Sequence, residues 1–239
     1  MSFAVALGAA RALFSTREGG VSAGAFSSLN LGLLTGDDRE RVIANRRALA
    51  AEAGVAPGRV AMGWQVHGTD VEEWQGPDPD RAFLDPQGGH LKVDGHLTRE
   101  AGLGVLVLVA DCLPVAMAGE RTVAMLHCGW RGLAGGIIGK AAAMFGEDAP
   151  AAAAVGPGIG ACCYEVGDEV AEAFSAYEGA AEGRMLDLRA VADAQLRAAG
   201  VERVEHVDLC TSCRGDLFFS HRRDHGATGR QGGMAWLSG

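Results

Sequence analysis

Two short apolar runs rich in valine and leucine constrain the fold of this chain more than any other feature. Residues 103–110 form one continuous run, closed by Pro114 a few positions later, and the pattern recurs at residues 121–126. Each run is too short for a typical helix, so each predicts a strand that is buried on both faces. The chain therefore needs a sheet covered by other layers.

Amphipathic helices are predicted around these runs. Residues 37–53 place apolar side chains near helical spacing behind acidic first-turn residues, and Gly54 ends the pattern. Further predicted elements are helices over residues 132–145, 168–177 and 187–199, and a strand over 201–207. Strands that occur both side by side and between helices predict mixed sheets covered by helices, which is an α+β fold.

Residues 59–74 contain two β-like runs on either side of His67, and we predict a hairpin with His67 at its tip. The polar residues 75–89, with three prolines, are predicted to form a loop. Closing strands are predicted at residues 218–220 and 234–237. Since no internal repeat or linker is visible, we predict one domain over residues 1–239.

Charge and composition limit the expected partners. The 21 Lys and Arg against 30 Asp and Glu give a net charge of −9, which argues against binding nucleic acid or an anionic membrane through charge. The longest apolar stretch, residues 101–118, is broken by Asp111 and Pro114, so no membrane span is expected. The N-terminus lacks the basic residue that opens a secretion signal. We expect a cytoplasmic protein, a monomer or small homo-oligomer.

Reactive side chains lie at the ends of the two apolar runs. Asp111 and Cys112 follow the first run, and His127 and Cys128 follow the second. If the two strands are neighbours, both polar ends face one cavity. In one interpretation Cys112 and His127 are ordinary buried residues. In another, Cys112 is a nucleophile and His127 its base, with Asp111 or a carbonyl orienting the imidazole.

A third interpretation adds His67 and builds a metal site. Two imidazoles and one thiolate suit Zn²⁺, and three protein ligands leave a position for water or substrate, as in catalytic zinc sites. Copper is an alternative at the same residues, with Met62 or Met125 as a further ligand. The spacing of His67, Cys112 and His127 does not separate these interpretations.

Six blocks of sequence then occur in a characteristic order. They are STREGGVSAGAFSSLNLG (15–32), QVHGTDV (65–71), ADCLPV (110–115), HCGWRG (127–132), GPGIGACCYEVGDEV (156–170) and FFSHRRDHGATGRQGGMAWL (218–237). In this order they resemble the YfiH/PgeF family, also called the laccase-domain or polyphenol oxidase family. The resemblance spans nearly the whole chain.

The resemblance implies a four-layer α/β/β/α fold with mixed sheets and a zinc site formed by His67, Cys112 and His127. It further implies phosphorolysis of adenosine, inosine, guanosine and methylthioadenosine, together with deamination of adenosine. The expected partners are therefore purine nucleosides and phosphate. Bacterial members of the family are also linked to keeping incorrect residues out of peptidoglycan precursors.

Other residues are candidates for substrate contacts. Arg131, at the start of a predicted helix, is placed to hold a phosphate oxyanion. Asp111 is a candidate partner of a ligand imidazole or a general acid or base. Further candidates within the family-like blocks are Arg17, Asn30, His221, Arg222, Arg223 and Arg230.

Several alternatives remain at this point. A metal-free Cys-His hydrolase would act on a cell-wall precursor or amide, and a binding module would hold a structural zinc with four protein ligands. A multicopper oxidase is disfavoured because the seven histidines include no His-x-His pair. A four-thiolate site is disfavoured because adjacent cysteines seldom both reach one ion. Its cysteines would be Cys162, Cys163, Cys210 and Cys213.

Overall fold

Two β-sheets form the centre of the computed structural model, which describes residues 2–77, 83–84 and 91–238. The strands are β1 (Ser2–Leu7), β2 (Ala10–Ser15), β3 (Val60–Ala61), β4 (Val71–Trp74), β5 (Gly95–Thr98), β6 (Gly104–Val109), β7 (Leu113–Ala118), β8 (Val123–Cys128), β9 (Ala152–Val155), β10 (Ala181–Glu182), β11 (Met185–Leu186), β12 (Arg203–His206) and β13 (Gln231–Leu237). The helices are α1 (Arg39–Ala53), α2 (Trp130–Ala134), α3 (Ile137–Phe145), α4 (Asp168–Ala173) and α5 (Leu188–Ala198). Most of the loop predicted at 75–89 lies outside the described residues.

Both large sheets are mixed. The first has the order β1-β2-β13-β6-β3, and the second has the order β12-β9-β7-β8-β5-β4. The pairs β3/β6, β4/β5 and β9/β12 are parallel, whereas the other pairs within the two sheets are antiparallel. The prediction of an α+β fold with mixed sheets is confirmed.

The core is divided into three apolar layers. Phe14 and Val107 of the first sheet pack between the sheets against Met125 of the second. On its outer face the first sheet contacts α1, and Leu106 lies in that layer because successive strand residues point to opposite faces. The outer face of the second sheet is covered by α2, α3, α4 and α5. The order of layers is therefore α/β/β/α, as predicted.

The predicted helices are present, with one internal break, and α4 ends at Ala173 rather than at residue 177 as predicted. Helix α1 begins after Asp38, whose carboxylate accepts a hydrogen bond from the Arg41 N–H, and it ends at Gly54 in the left-handed conformation. The helix predicted over 132–145 is two helices, α2 and α3, separated by two glycines. Gly136 interrupts the helix because it has the left-handed conformation, with φ at 79°, and a side chain at Gly135 would come within 2.5 Å of Thr69.

Two predictions about strands are wrong. The runs on either side of His67 do not form a hairpin, because β3 belongs to the first sheet and β4 to the second. Residues 218–220 form a loop in which the Phe219 N–H donates to the Gln231 side chain. The strand predicted at 201–207 is present as β12. In the described part of the chain, every helix falls short of the length and apolar character that crossing a bilayer demands.

Candidate metal centre and cavity

The three predicted metal ligands lie close together, although each comes from a different segment of the chain. His67 lies in the segment that crosses from β3 to β4, Cys112 lies in the turn from β6 to β7, and His127 lies in β8. One ligand atom from each side chain lies within 4.8 Å of the other two. The rings of His67 and His127 meet edge to face, with 4.8 Å between their centroids. This donor set and this separation fit one zinc ion.

Strand register explains why Cys112 reaches His127. The two apolar runs recognised in the sequence are β6 and β8, and they are not neighbours, since they belong to different sheets. The intervening strand β7 pairs antiparallel with β8 and places Pro114 opposite His127. Cys112 directly precedes β7 and therefore lies beside that end of β8. The expected juxtaposition is present, but an unpredicted strand produces it.

A fully buried carboxylate, Asp94, orients both histidines. Its Oδ1 lies 2.7 Å from Nδ1 of His127 and accepts the His67 backbone N–H at 2.9 Å. Its Oδ2 accepts the N–H groups of Val66 and Gly68 at 3.0 and 2.7 Å. Burial by itself raises the pKa of Asp94, but these hydrogen bonds outweigh it and lower the pKa to about 2. The carboxylate is therefore ionised at neutral pH.

This carboxylate prepares His127 and Cys112 to bind a cation. Its hydrogen bond to Nδ1 leaves Nε2 of His127 for a metal. Burial opposes charge on both groups, yet the charge and hydrogen bond of His127 lower the pKa of Cys112. The Cys112 thiolate and Asp94 in turn raise the pKa of His127. The cysteine thus favours the thiolate form, which is the form that ligates metals.

Asp111 has a different role from the one predicted. Its Oδ1 accepts a hydrogen bond from the Thr211 hydroxyl, and its Oδ2 accepts the Arg222 backbone N–H, both at 2.7 Å. The partner that orients the His127 imidazole is Asp94, so the prediction of this role for Asp111 is wrong. Asp111 and His67 both have positive φ values, 91° and 60°, which are uncommon for residues other than glycine. The bonds to Asp111 hold the turn that presents Cys112.

Gly129 leaves the space that the triad needs. A Cβ atom at this position would lie 3.0 Å from the Cys112 Sγ and 3.3 Å from Cδ2 of His67. Both distances are too short for unstrained contact with a side chain. The glycine of the HCGWRG block therefore accommodates the cluster, and the residues present fit a bound metal.

We expect Gly129→Ala to weaken metal binding by about tenfold or more, because the new methyl group displaces the thiol or the imidazole. Competition with a chelator would measure the change. Gly139→Ala in α3 is a matched control, since nothing lies within 4 Å of a Cβ at Gly139. An unchanged metal affinity in Gly129→Ala would contradict the assigned contact.

A cavity of about 560 Å³ opens beside the triad, and its size is typical of small-molecule sites. His67, Cys112 and His127 line it together with apolar and aromatic side chains. They include Met62, Trp64, Leu108, Trp130, Ile159 and Tyr164. The cationic lining residues are Arg46, Arg131, Arg222 and Arg230. Met125, the other methionine considered for copper, packs between the sheets.

Comparison with known proteins places the chain in a family. The family model described as multi-copper polyphenol oxidoreductase laccase matches residues 11–238. The chain belongs to this laccase family. Purine nucleoside phosphorylase YlmD of Geobacillus stearothermophilus is 38% identical over 236 residues, which cover 90% of this chain and 86% of the relative. Purine nucleoside phosphorylase YfiH of Escherichia coli is 36% identical, and the match covers 93% and 92% of the two chains.

Solved structures of the laccase family agree with the fold. The crystal structure of Geobacillus stearothermophilus YlmD superposes with a TM-score of 0.89 at 36% identity, over 98% of this chain and 93% of that one. The crystal structure of Bacillus licheniformis YfiH gives a TM-score of 0.85 at 31% identity, over 95% and 92%. The resemblance to the YfiH proteins is confirmed.

The arginines that line the cavity of this laccase-family chain differ in their availability. Arg46 and Arg230 each donate to two backbone carbonyls, and Arg222 donates to one. The Arg131 guanidinium lies 4.4 Å from the centre of the Trp130 ring. Within the described ranges, no group accepts a hydrogen bond from it. Arg131 is therefore the cation that is most available to an anion in the cavity.

The structure corrects two predicted substrate contacts. Asn30 is fully buried, and its amide donates to Thr35 and Asp37 while its Oδ1 accepts the Arg230 N–H. Arg17 donates to the carbonyls of two loops and lies over the ring of Phe219. Neither residue lines the cavity, and the hydrogen bonds of both join neighbouring loop segments.

Two further candidates differ in their position. His221 lines the cavity. Arg223 is not among the residues that line it and is held in a hydrogen-bonded ion pair with Asp224. A substrate contact by His221 stays a prediction.

Proposed function

We propose that this protein is a cytoplasmic, zinc-dependent purine nucleoside phosphorylase that also deaminates adenosine. Its substrates would be inosine, guanosine, adenosine and methylthioadenosine, with phosphate. The observation that supports this proposal is the triad of His67, Cys112 and His127 on the wall of a ligand-sized cavity, in a chain with relatives named purine nucleoside phosphorylases. None of the six cysteines, all of them in the described part of the chain, forms a disulfide.

His67, Cys112 and His127 would hold the zinc ion. Bound zinc supplies a Lewis acid and lowers the pKa of a bound water to about 7. Asp94 fixes the tautomer of His127, and Gly129 keeps the space around the thiol open. These residues therefore hold the donor atoms in place before substrate binds.

Phosphorolysis requires a phosphate oxygen to replace the purine at C1′ of the ribose. The unoccupied donors of Arg131 would bind this phosphate, since a guanidinium matches two phosphate oxygens. Tyr164 and Trp64 offer aromatic surface for the purine. Burial raises the pKa of Tyr164 to about 12, so its hydroxyl keeps its proton and can donate a hydrogen bond.

Product analysis with purified, zinc-loaded protein tests the proposal. Inosine with phosphate is expected to yield hypoxanthine and ribose 1-phosphate, and inosine without phosphate is expected to remain unchanged. Adenosine without phosphate is expected to yield inosine and ammonia. No phosphate-dependent product would contradict the phosphorylase assignment, and no inosine from adenosine would contradict the deaminase assignment.

A metal-free Cys-His hydrolase is the second candidate, because His127 and His67 lower the pKa of Cys112. Such a hydrolase would keep its activity in a chelator and lose it when Cys112 is alkylated. The proposed phosphorylase would instead lose activity in the chelator and regain it with zinc. Reloading with copper in place of zinc compares the two metals at the same three residues.

We expect Arg131→Ala to raise the KM for phosphate by about tenfold or more while the KM for inosine changes little. The reason is that phosphate loses its most available partner. Arg131→Lys keeps the positive charge but lacks the planar guanidinium, so its KM for phosphate should lie between those of wild type and Arg131→Ala. Initial rates at varied phosphate concentration measure the effect, and an equal rise in both KM values would argue against a specific phosphate contact.

A further inference from the structure

Four cysteines form a second cluster outside the cavity. Cys162 and Cys163 follow β9, and Cys210 and Cys213 follow β12. All four sulfur atoms lie within 4.8 Å of one another. The Cys213 Sγ lies 3.6 Å from that of Cys162 and 3.4 Å from that of Cys163. The expectation that adjacent cysteines would not both reach one position is therefore wrong for this chain.

A tight turn brings the adjacent cysteines to one side. The Gly160 carbonyl accepts the backbone N–H groups of both Cys163 and Tyr164, at 2.9 and 3.0 Å. Gly160 lies beside both cysteine loops, since a Cβ atom there would be at van der Waals distance, 3.4 Å, from the Cys162 Sγ and from Cβ of Cys210. The turn therefore directs both thiols toward the Cys210-x-x-Cys213 segment.

We propose that these four cysteines bind a zinc ion as a second, tetrahedral metal site. A Zn–S bond of about 2.3 Å gives an edge of about 3.8 Å between two sulfurs of a tetrahedron, close to the separations within the cluster. A disulfide would need an S–S distance of about 2.05 Å. Four protein ligands leave no position for substrate, so this site is structural.

The surroundings of the cluster suit a bound tetrathiolate, which carries a net negative charge. The Gly160 N–H donates to the Cys210 Sγ at 3.2 Å. Arg223 donates to the carbonyl of Thr211 inside the Cys-x-x-Cys segment, at 2.9 Å. Arg189 donates to the carbonyl of Leu209 just before it, at 2.6 Å. These two arginines, each also paired with a carboxylate (Asp224 and Asp208), hold the backbone of the segment that carries Cys210 and Cys213.

The ion has a route from solvent, because Cys162 and Cys213 are exposed. On binding, the thiols release their protons to water and the ion exchanges its water ligands for sulfur, with no change of oxidation state.

The second site is connected to the cavity. Thr211 lies between two of the cysteines in sequence and donates to Asp111 at 2.7 Å, and Asp111 holds the turn that presents Cys112. Tyr164, which follows Cys163, lines the cavity. A zinc ion bound to the four cysteines would hold together the loop that carries Tyr164 and the loop that carries Thr211. The inference concerns a structural ion and does not depend on the proposed reaction.

Metal analysis of the full-length protein tests the second site. Wild type purified under reducing conditions is expected to bind about two zinc ions per chain, and Cys213→Ser about one. Ser212→Ala, in the same segment, is a matched control that should keep two. In Cys112→Ser the single remaining zinc is expected to have only sulfur ligands, measured as X-ray absorption fine structure with Zn–S distances of about 2.3 Å.

A second measurement covers the case in which Cys213→Ser does not fold. Wild type loaded with Co²⁺ is expected to show the intense charge-transfer bands of a tetrahedral thiolate complex in addition to those of the triad. One zinc per chain in wild type, with nitrogen in its coordination sphere and four cysteines that react with iodoacetamide, would overturn the proposal. A mass lower by two hydrogen atoms in the peptides of this cluster, showing a disulfide, would overturn it as well.

Discussion

Cys112→Ser is expected to lose nearly all metal from the triad and to reduce phosphorolysis by about a thousandfold or more. The thiolate is one of three donors at an open site, and without it two imidazoles remain, one of them exposed. A serine hydroxyl stays protonated at neutral pH and is a poor zinc ligand. Zinc content and the inosine assay, made on the same preparation, measure both effects.

Cys128→Ala provides the control for Cys112→Ser. Cys128 is fully buried against the helix layer and belongs to neither cysteine cluster, so its removal should leave zinc content and activity close to those of wild type. A Cys112→Ser protein that folds and keeps its metal would rule out the thiolate as a ligand. A Cys112→Ser protein that loses its metal but keeps its activity would show that the reaction does not require the metal.

The strands that were predicted and those that were missed differ in composition. Strand β6 is rich in valine and leucine, and β8 begins with the apolar residues Val-Ala-Met-Leu, so the composition of both agrees with their buried position. Strand β9 is Ala-Ala-Ala-Val, whose sequence favours no strand, and its pairing with β7 on one side and β12 on the other makes it one. In β7, Pro114 argues against a central strand. It is tolerated because the pairing with β9 starts at Val115.

The candidate site could be predicted by residue type but not by geometry. Histidine and cysteine are rare and chemically distinctive, so His67, Cys112 and His127 were recognisable together with the family blocks. Asp94 was missed, because its contact with His127 depends on the register that pairs Gly95 with Leu126. Asp94 directly precedes strand β5, which is fully buried, and a carboxylate in such a place needs hydrogen-bonding partners. Strand register of this kind does not follow from local sequence.

Asp94→Asn is expected to weaken zinc binding by about 10- to 100-fold and to destabilise the metal-free protein. The amide lacks the charge that orients the His127 imidazole. It also turns one acceptor oxygen into a donor that faces backbone N–H groups, and each buried N–H left without a partner costs about 1–3 kcal/mol. Chelator competition measures the affinity, and urea unfolding of the metal-free proteins at pH 7 measures the free energy of unfolding.

The pH dependence of unfolding gives a further test of Asp94. Its pKa is lowered from 3.8 to about 2 in the folded protein, so the ionised carboxylate stabilises the fold above pH 3.8. This contribution falls as the pH drops from about 4 toward 2, and Asp94→Asn should lack it.

For the measurement of zinc affinity, Asp216→Asn is the control. Asp216 is an exposed partner of Arg214, and its loss should leave metal affinity unchanged. Equal zinc affinity in wild type and Asp94→Asn would show that the carboxylate does not orient the ligands.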